Sequence, residues 1–267
     1  MRLDGVEAVV LDVDGTLVHR FGDEVQVQPG AREVLARIRA SGRKLAIFTN
    51  GSHEPPDWFA GNLRAEGLDI ADDEMLTPLR SVQAYLRMRR LEGPVLPFAT
   101  ASAYEYLAEE GMHLAGDNGA VETVFVAHAD SVDFPLLERA ARAIIAGARL
   151  LTASYAPGYA GGDGMIISRG AMTTAALAKA SSTRPVIVGK PSRAALRTIA
   201  EQVGVGGEQL LVVGDDVTMD VALGRLGGAR TILVASGISG RPELGRLPER
   251  RRPHAVIGGV VELLDWL

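Results

Sequence analysis

The sequence predicts an α/β fold, a doubly wound parallel sheet split by an inserted α/β domain. Three observations predict it. Short runs that are apolar at nearly every position, such as VEAVVL, KLAIFT and LLVVGD, recur along the chain; such runs belong to strands covered on both faces. They alternate with helical patterns, which implies parallel strands joined by crossover helices. Between about residues 80 and 184 a stretch with its own strands and helices intervenes, and the first pattern then resumes.

The elements follow in order. Residues 6–11 (VEAVVL) read as a buried strand. Residues 30–41 carry apolar positions 34, 35 and 38 at helical spacing, with Pro29 before and Gly42 after as start and stop signals. KLAIFT (44–49) is the second strand, and residues 55–66 form a helix opened by Pro55 and Pro56 and closed by Gly67. The inserted stretch has strands in PVLPFAT, VETVFVAH, RLLTA and GMIIS, and helices over 81–91, 102–110, 135–147 and 170–180. PVIVGK (185–190) reads as the strand that returns to the first sheet. A helix over 192–203, the strand LLVVGD (210–215), a helix over 218–226, the strands TILVAS (231–236) and AVI (255–257), and a closing helix over 259–266 complete it. The expected domains are a core of 1–79 and 185–267 and an α/β cap of 80–184, with linkers near Thr77–Pro78 and Ser182–Arg184.

Composition narrows the function classes. Of 267 residues 47% are hydrophobic, and the formal net charge is -5, which argues against a non-specific nucleic-acid binder because that needs a basic surface. There is no cysteine, so disulfides and thiolate chemistry are excluded. No apolar run reaches the roughly 18 residues of a membrane span, and the N-terminus lacks a cationic head followed by a long apolar stretch; the chain reads as cytoplasmic. His19, His53, His113, His128 and His254 are scattered, with no pair at metal-ligand spacing, and read as non-catalytic. Tyr104 and Tyr106 read as packing residues of a cap helix, and the basic run 249–253 as a solvated loop.

The polar residues at the strand ends form a pattern. In an open parallel sheet, ligands bind at the carboxyl ends of the strands. Those ends offer Asp12 and Asp14, then Thr49, Asn50 and Gly51, then Lys190, then Asp215 with Asp216 beside it and Asp220 one turn on. Crowded carboxylates resist ionising together unless a cation sits among them. Hard oxygen ligands completed by water and phosphate suit Mg²⁺. A lysine and a threonine hydroxyl facing the same point suit a phosphoryl group. A carboxylate can serve as nucleophile, and a second one two residues on can carry the proton.

DVDGT, the threonine of IFTN, the lysine of VGKP and GDDVTMD together resemble the four motifs of the haloacid dehalogenase superfamily in its phosphatase branch. The insertion between the second and third motifs resembles a type II cap, and residues 133–154 are similar to the cap of the p-nitrophenyl phosphatase and NagD-like subgroup. The resemblance implies a Mg²⁺-dependent phosphatase of small phosphomonoesters (sugar phosphate, glycerol phosphate or nucleotide) working through an aspartyl-phosphate. It implies Asp12 as nucleophile and Mg²⁺ ligand, Asp14 as general acid/base with its main-chain carbonyl on the metal, and Asp215 as a further metal ligand. Thr49, Asn50, Gly51 and Lys190 would bind the phosphoryl group, and Asp220 would support the lysine or the metal shell. A homodimer formed through the cap also follows from the resemblance.

This sequence departs from that pattern in the cap. Where relatives carry a TNPD-like stretch it has LTASYAPGYAGGDG, residues 151–164. Tyr155, Tyr159 and Asp163 are candidates to touch the leaving group; a glycine-rich hairpin with incidental tyrosines is the other reading. Three alternative functions compete with the phosphatase. A phosphomutase usually carries a helical cap between the first two motifs, whereas one helix and one strand account for the stretch from Thr16 to Thr49. A silent phosphate-binding protein would be expected to have lost Asp12 or Asp14. A haloalkanoate dehalogenase would lack the acid/base aspartate.

Overall fold

The computed structural model describes residues 3–21, 24–161, 164–236 and 244–267. The first strand, β1 (Ala8–Leu11), is followed by a hairpin, β2 (Val18–Phe21) and β3 (Glu24–Val27), then α1 (Ala31–Ala40), β4 (Lys44–Phe48), α2 (Pro56–Ala65) and the short β5 (Met75–Leu76). The middle of the chain forms α3 (Pro78–Arg89), β6 (Val95–Phe98), α4 (Ala101–Glu109), β7 (Thr123–Val126), α5 (Phe134–Ile145), β8 (Arg149–Thr152), a hairpin of β9 (Gly158–Gly161) and β10 (Gly164–Ile167), and α6 (Arg169–Ser181). The rest comprises β11 (Val186–Ile187), α7 (Arg193–Val203), β12 (Leu210–Gly214), α8 (Ala222–Gly227), β13 (Arg230–Val234) and β14 (Ala255–Ile257).

Helix starts follow local chemistry. Thr77, Thr100, Asp133, Ser168 and Ser192 each accept a main-chain N–H of the first turn they cap. Proline stands in the first turn of α2, α3 and α5, where a missing N–H costs nothing.

Two parallel sheets organise these elements. The larger has the order β14-β13-β12-β1-β4-β5, and the smaller β11-β8-β7-β6. Both are covered on both faces, which explains the unbroken apolar runs. On one face of the larger sheet, Val9, Leu11, Ile47 and Val213 pack with Val34, Leu35 and Ile38 of α1 and Leu63 of α2. On the other, Val10, Phe48 and Val212 pack with Ile199 of α7 and Leu223 of α8. The smaller sheet sets Val95, Phe125 and Leu151 against α3 and α4, and Leu96, Val124 and Leu150 against α5 and α6.

Several expectations need correction. The hairpin β2–β3 does not stand out in the sequence, because its strands are too short for their alternation to register. β5 escapes for the same reason. The run 185–190 does not return to the larger sheet: Val186 and Ile187 pair with Leu151 and Thr152 at the edge of the smaller one. An apolar run carries no mark of which sheet it will join. α3 begins at Pro78, not at residue 81, and packs with the smaller sheet. The expected helix 218–226 opens instead with a wide π-helical turn, Val217–Val221. The closing segment Val260–Asp265 is a 3₁₀ helix. Tyr106 packs beside the smaller sheet's core as expected. No helix among the described residues is long and apolar enough to cross a membrane.

Candidate active site

The order in which strands are added to the larger sheet reverses at β1, which lies between β4 and β12. The strand ends beside that reversal supply the site. The main chain of Asp12 prolongs the pairing of β1 by donating to the Val213 carbonyl at 2.9 Å. The chain then turns sharply, Gly15 N–H closing on the Val18 carbonyl at 2.8 Å. Gly15 is needed twice over. Its φ is +84°, and a Cβ there would lie 2.3 Å from Asp215 Oδ2. The missing side chain therefore lets the turn after β1 pack directly against Asp215 at the end of the neighbouring β12.

Lys190 Nζ sits at the centre of the site. It donates to Asp12 Oδ1 at 2.5 Å, to Asp220 Oδ1 at 2.7 Å and to the Phe48 carbonyl at 2.8 Å. The lysine and Asp220 are almost wholly buried. Burial alone would lower the ammonium pKa, but the two carboxylates outweigh it and raise it. Burial holds Asp12 well above the usual carboxylate range; Lys190 opposes this, while Asp220 and Asp215 add to it. Burial likewise raises Asp220 against the pull of Lys190.

The other predicted residues fall around this centre. Thr49 Oγ1 accepts the Gly51 N–H at 3.0 Å. Asn50 does something the sequence did not suggest: its side chain clamps the Lys190 main chain, accepting its N–H at 2.8 Å and donating to its carbonyl at 2.9 Å. Asp216 caps the turn that follows, accepting from Thr218 N at 2.6 Å and Met219 N at 3.2 Å. Asp220 Oδ2 accepts the Asp216 N–H at 3.1 Å. Asp14 stands at the half-exposed rim, with Arg20 Nε 2.6 Å from its Oδ1.

A cavity of about 470 Å³ opens over these groups, lined by both bodies of the chain. Tyr155 is not among its lining residues although Ser154 and Ala156 on either side are, and Tyr155 is 40% exposed. Asp163 lies outside the described residues, as does the side chain of Tyr159. Sequence reasoning missed Arg20, which sits on the unrecognised hairpin, and it missed Thr16, whose hydroxyl donates to Asp12 Oδ2 at 3.3 Å. It also set aside His53 and His128, which both line the cavity. Nothing in their spacing marks two loops that meet in space.

The donor set fits a hard divalent cation. Carboxylate oxygens of Asp12, Asp215 and Asp220 lie within 4.8 Å of one another. Asp12 and Asp215 stand at the ends of the paired strands β1 and β12, and hard carboxylate oxygens of this kind suit Mg²⁺, while Asp220 spans Lys190 and the Asp216 main chain.

Comparison with known proteins gives concordant matches. Residues 9–113 match the model of the haloacid dehalogenase-like hydrolases, and residues 187–263 match that of the HAD-hydrolase-like family. The chain is 28% identical to the ribonucleotide monophosphatase NagD of Escherichia coli K12 over 258 residues, 97% of this chain and 98% of that one. The solved NagD structure superposes with a TM-score of 0.85 at 27% identity, covering 98% of each chain. A dihydroxyacetone phosphatase of Corynebacterium glutamicum is 26% identical over 95% of this chain and 89% of its own. A p-nitrophenyl phosphatase structure from Archaeoglobus fulgidus gives a TM-score of 0.85 at 26% identity, covering 98% of this chain and 99% of its own.

Proposed function

We infer that this chain, which belongs to the haloacid dehalogenase-like hydrolases, is a phosphoric monoester hydrolase that releases phosphate from small phosphomonoesters through an aspartyl-phosphate on Asp12. The observation that carries the reading is the Asp12 carboxylate 2.5 Å from a buried ammonium, at the floor of a cavity that its own strand end opens into. Asp12, the Asp14 main-chain carbonyl and Asp215 would hold Mg²⁺, which when bound supplies positive charge to the phosphoryl oxygens.

The chain's own groups divide the remaining work. The Asp12 carboxylate attacks phosphorus, the bond to the leaving oxygen breaks, and the carboxylic acid of Asp14 gives that oxygen its proton. Water then attacks phosphorus, Asp14 takes up a proton, and the bond to Asp12 breaks to release inorganic phosphate. Thr49 Oγ1 already accepts the Gly51 N–H, so its own hydrogen is available to a phosphoryl oxygen. Lys190 offsets the negative charge that gathers on Asp12. Arg20, paired with Asp14, holds that carboxyl at the rim, where a leaving group would stand.

The test is phosphate release from p-nitrophenyl phosphate with Mg²⁺ or with EDTA, beside an Asp14→Asn variant quenched in acid for intact mass. The reading requires Mg²⁺-dependent release by the wild type and trapped phosphoenzyme in the variant. Release with no phosphoenzyme on Asp12 would overturn the covalent route. Transfer to a sugar hydroxyl in place of release would substitute the phosphotransferase alternative.

A further inference from the structure

The acid cluster recognises a phosphoryl group, but it has little with which to read the rest of a substrate. That task falls to the wall opposite, whose composition is specific. Among the described residues, the part contributed by the second body is mostly alanine and glycine, with His128, Ser154 and Ser168 as its hydrogen-bonding side chains. The core adds His53, which follows Thr49 on the loop after β4. The two imidazoles meet across the junction of the two bodies, ring centroids 5.8 Å apart.

His53 is fixed in place. Its ring meets Trp58 and Phe59 edge to face, with centroids 5.5 and 5.0 Å away, and its carbonyl accepts Thr100 Oγ1 at 2.6 Å. Burial, then the neighbouring His128, holds its pKa below the ordinary value, and burial, then Arg169, does the same for His128. Both are therefore neutral near pH 7, and each offers one donor and one acceptor, the complement of an alcohol hydroxyl. The described lining residues of the second body include no cation. The two cations of the core are engaged, Lys190 with Asp12 and Asp220, Arg20 with Asp14. A second anionic group on the substrate would thus face neutral imidazoles and hydroxyls, with the acid cluster beyond.

We propose that His53 and His128, one from each body, read the leaving group together, and that the leaving group they accept is an uncharged, hydroxyl-bearing carbon chain or ring. This rests on the phosphatase reading and names its substrate class. A site built to pair a hydroxyl discriminates strongly against a partner lacking it, because buried polar groups are then left unpaired.

The experiment compares kcat/KM for three substrate types with Mg²⁺: a polyol or sugar phosphate such as glycerol 3-phosphate or glucose 6-phosphate, a phosphate bearing a second anion such as 2-phosphoglycolate, and p-nitrophenyl phosphate as reference. Wild type is expected to prefer the best hydroxylated substrate over 2-phosphoglycolate by at least about tenfold. His53→Ala and His128→Ala should each lower the ratio of hydroxylated substrate to p-nitrophenyl phosphate by about 10-fold or more, with His128→Gln regaining part of it by supplying a neutral donor and acceptor. Ratios unchanged within about twofold, or equal losses on all substrates, would overturn the proposal while leaving the phosphatase reading in place. So would a wild type that favours 2-phosphoglycolate. A folded wild type that releases phosphate from none of the three would overturn the phosphatase reading itself.

Discussion

The two parallel sheets are made alike and used differently. Both consist of short apolar strands covered on both faces by helices. Strand order in the larger reverses at β1, whereas the smaller runs β6, β7, β8, β11 in one sense. A reversal sends neighbouring crossovers to opposite faces and opens a crevice at the strand ends; there the larger sheet keeps Asp12, Thr49 and Asp215. The smaller sheet aims its carboxyl ends at the same cavity but contributes Ala127, His128, Ala153 and Ser154. On the proposed reading, one sheet would concentrate charge for bond-making and the other would leave neutral room for whatever the phosphoryl group is attached to. Lys190 crosses the division. Its main chain continues from the edge strand of the smaller sheet, and its ammonium lies in the acid cluster of the larger.

The contrast is tested most sharply at Asp12. Asp12→Asn should lower phosphate release by at least about 10³-fold, since an amide cannot replace a carboxylate nucleophile. It should also change stability with pH. The folded-state pKa of Asp12 is raised, so its favourable contribution is complete below about pH 4 and is lost as pH rises toward the folded value. In thermal melts of metal-free protein, Asp12→Asn should therefore gain on wild type between about pH 5 and pH 8. A relative loss over that range would contradict the crowding of acids around Lys190.

Next in size is Lys190→Met. Removing the ammonium leaves Asp12 and Asp220 buried against each other, and breaking a buried pair in this way costs about 3–5 kcal/mol. Urea unfolding of the metal-free variant at about pH 8 should register that loss, and it should shrink at about pH 5 as the carboxylates take up protons. A deficit independent of pH would mean that the lysine acts by packing alone.

Gly189→Ala probes the seam between the sheets. A Cβ there would lie 2.3 Å from the Ala153 carbonyl oxygen and 2.6 Å from Asn50 Oδ1. The clash would spread β11 from β8 and loosen the Asn50 clamp, at a cost of about 1–3 kcal/mol. Turnover of p-nitrophenyl phosphate should fall with the melting temperature; full activity in a less stable variant would detach the clamp from the chemistry. The smallest effect is expected at Tyr155, which is not among the residues lining the cavity. Tyr155→Phe should leave substrate ratios within about twofold, less than about 0.5 kcal/mol of transition-state discrimination, and a larger change measured over the same panel would return this residue to the leaving-group wall.

Much of the site is legible in the order of residues along the chain. Asp12 and Asp14 follow a buried run directly, Thr49 and Asp215 end others, and strand ends are where a parallel sheet binds ligands. The residues that escape such a reading share a cause. Arg20 lies on a strand of four residues, too short for periodicity to register. His53 and His128 stand on separate loops of separate bodies, so their spacing along the chain is silent about their contact. Tyr155 draws attention because it lies on a glycine-rich stretch of the cap, yet its small neighbours Ser154 and Ala156 line the cavity and it does not.

The sequence by itself determined the local terms: which runs become strands, which residues stand at their tips, and where glycine lets the chain turn at Gly15. Those depend on side chains within a few positions of one another. Tertiary structure alone decided that β11 pairs with β8, that Asn50 grips the Lys190 main chain, and that Lys190 bridges Asp12 and Asp220 across 178 and 30 positions of sequence. Strand order and the meeting of loops are set by how whole layers pack and by which hydrogen-bond edges remain open, and no local pattern of residues encodes that choice.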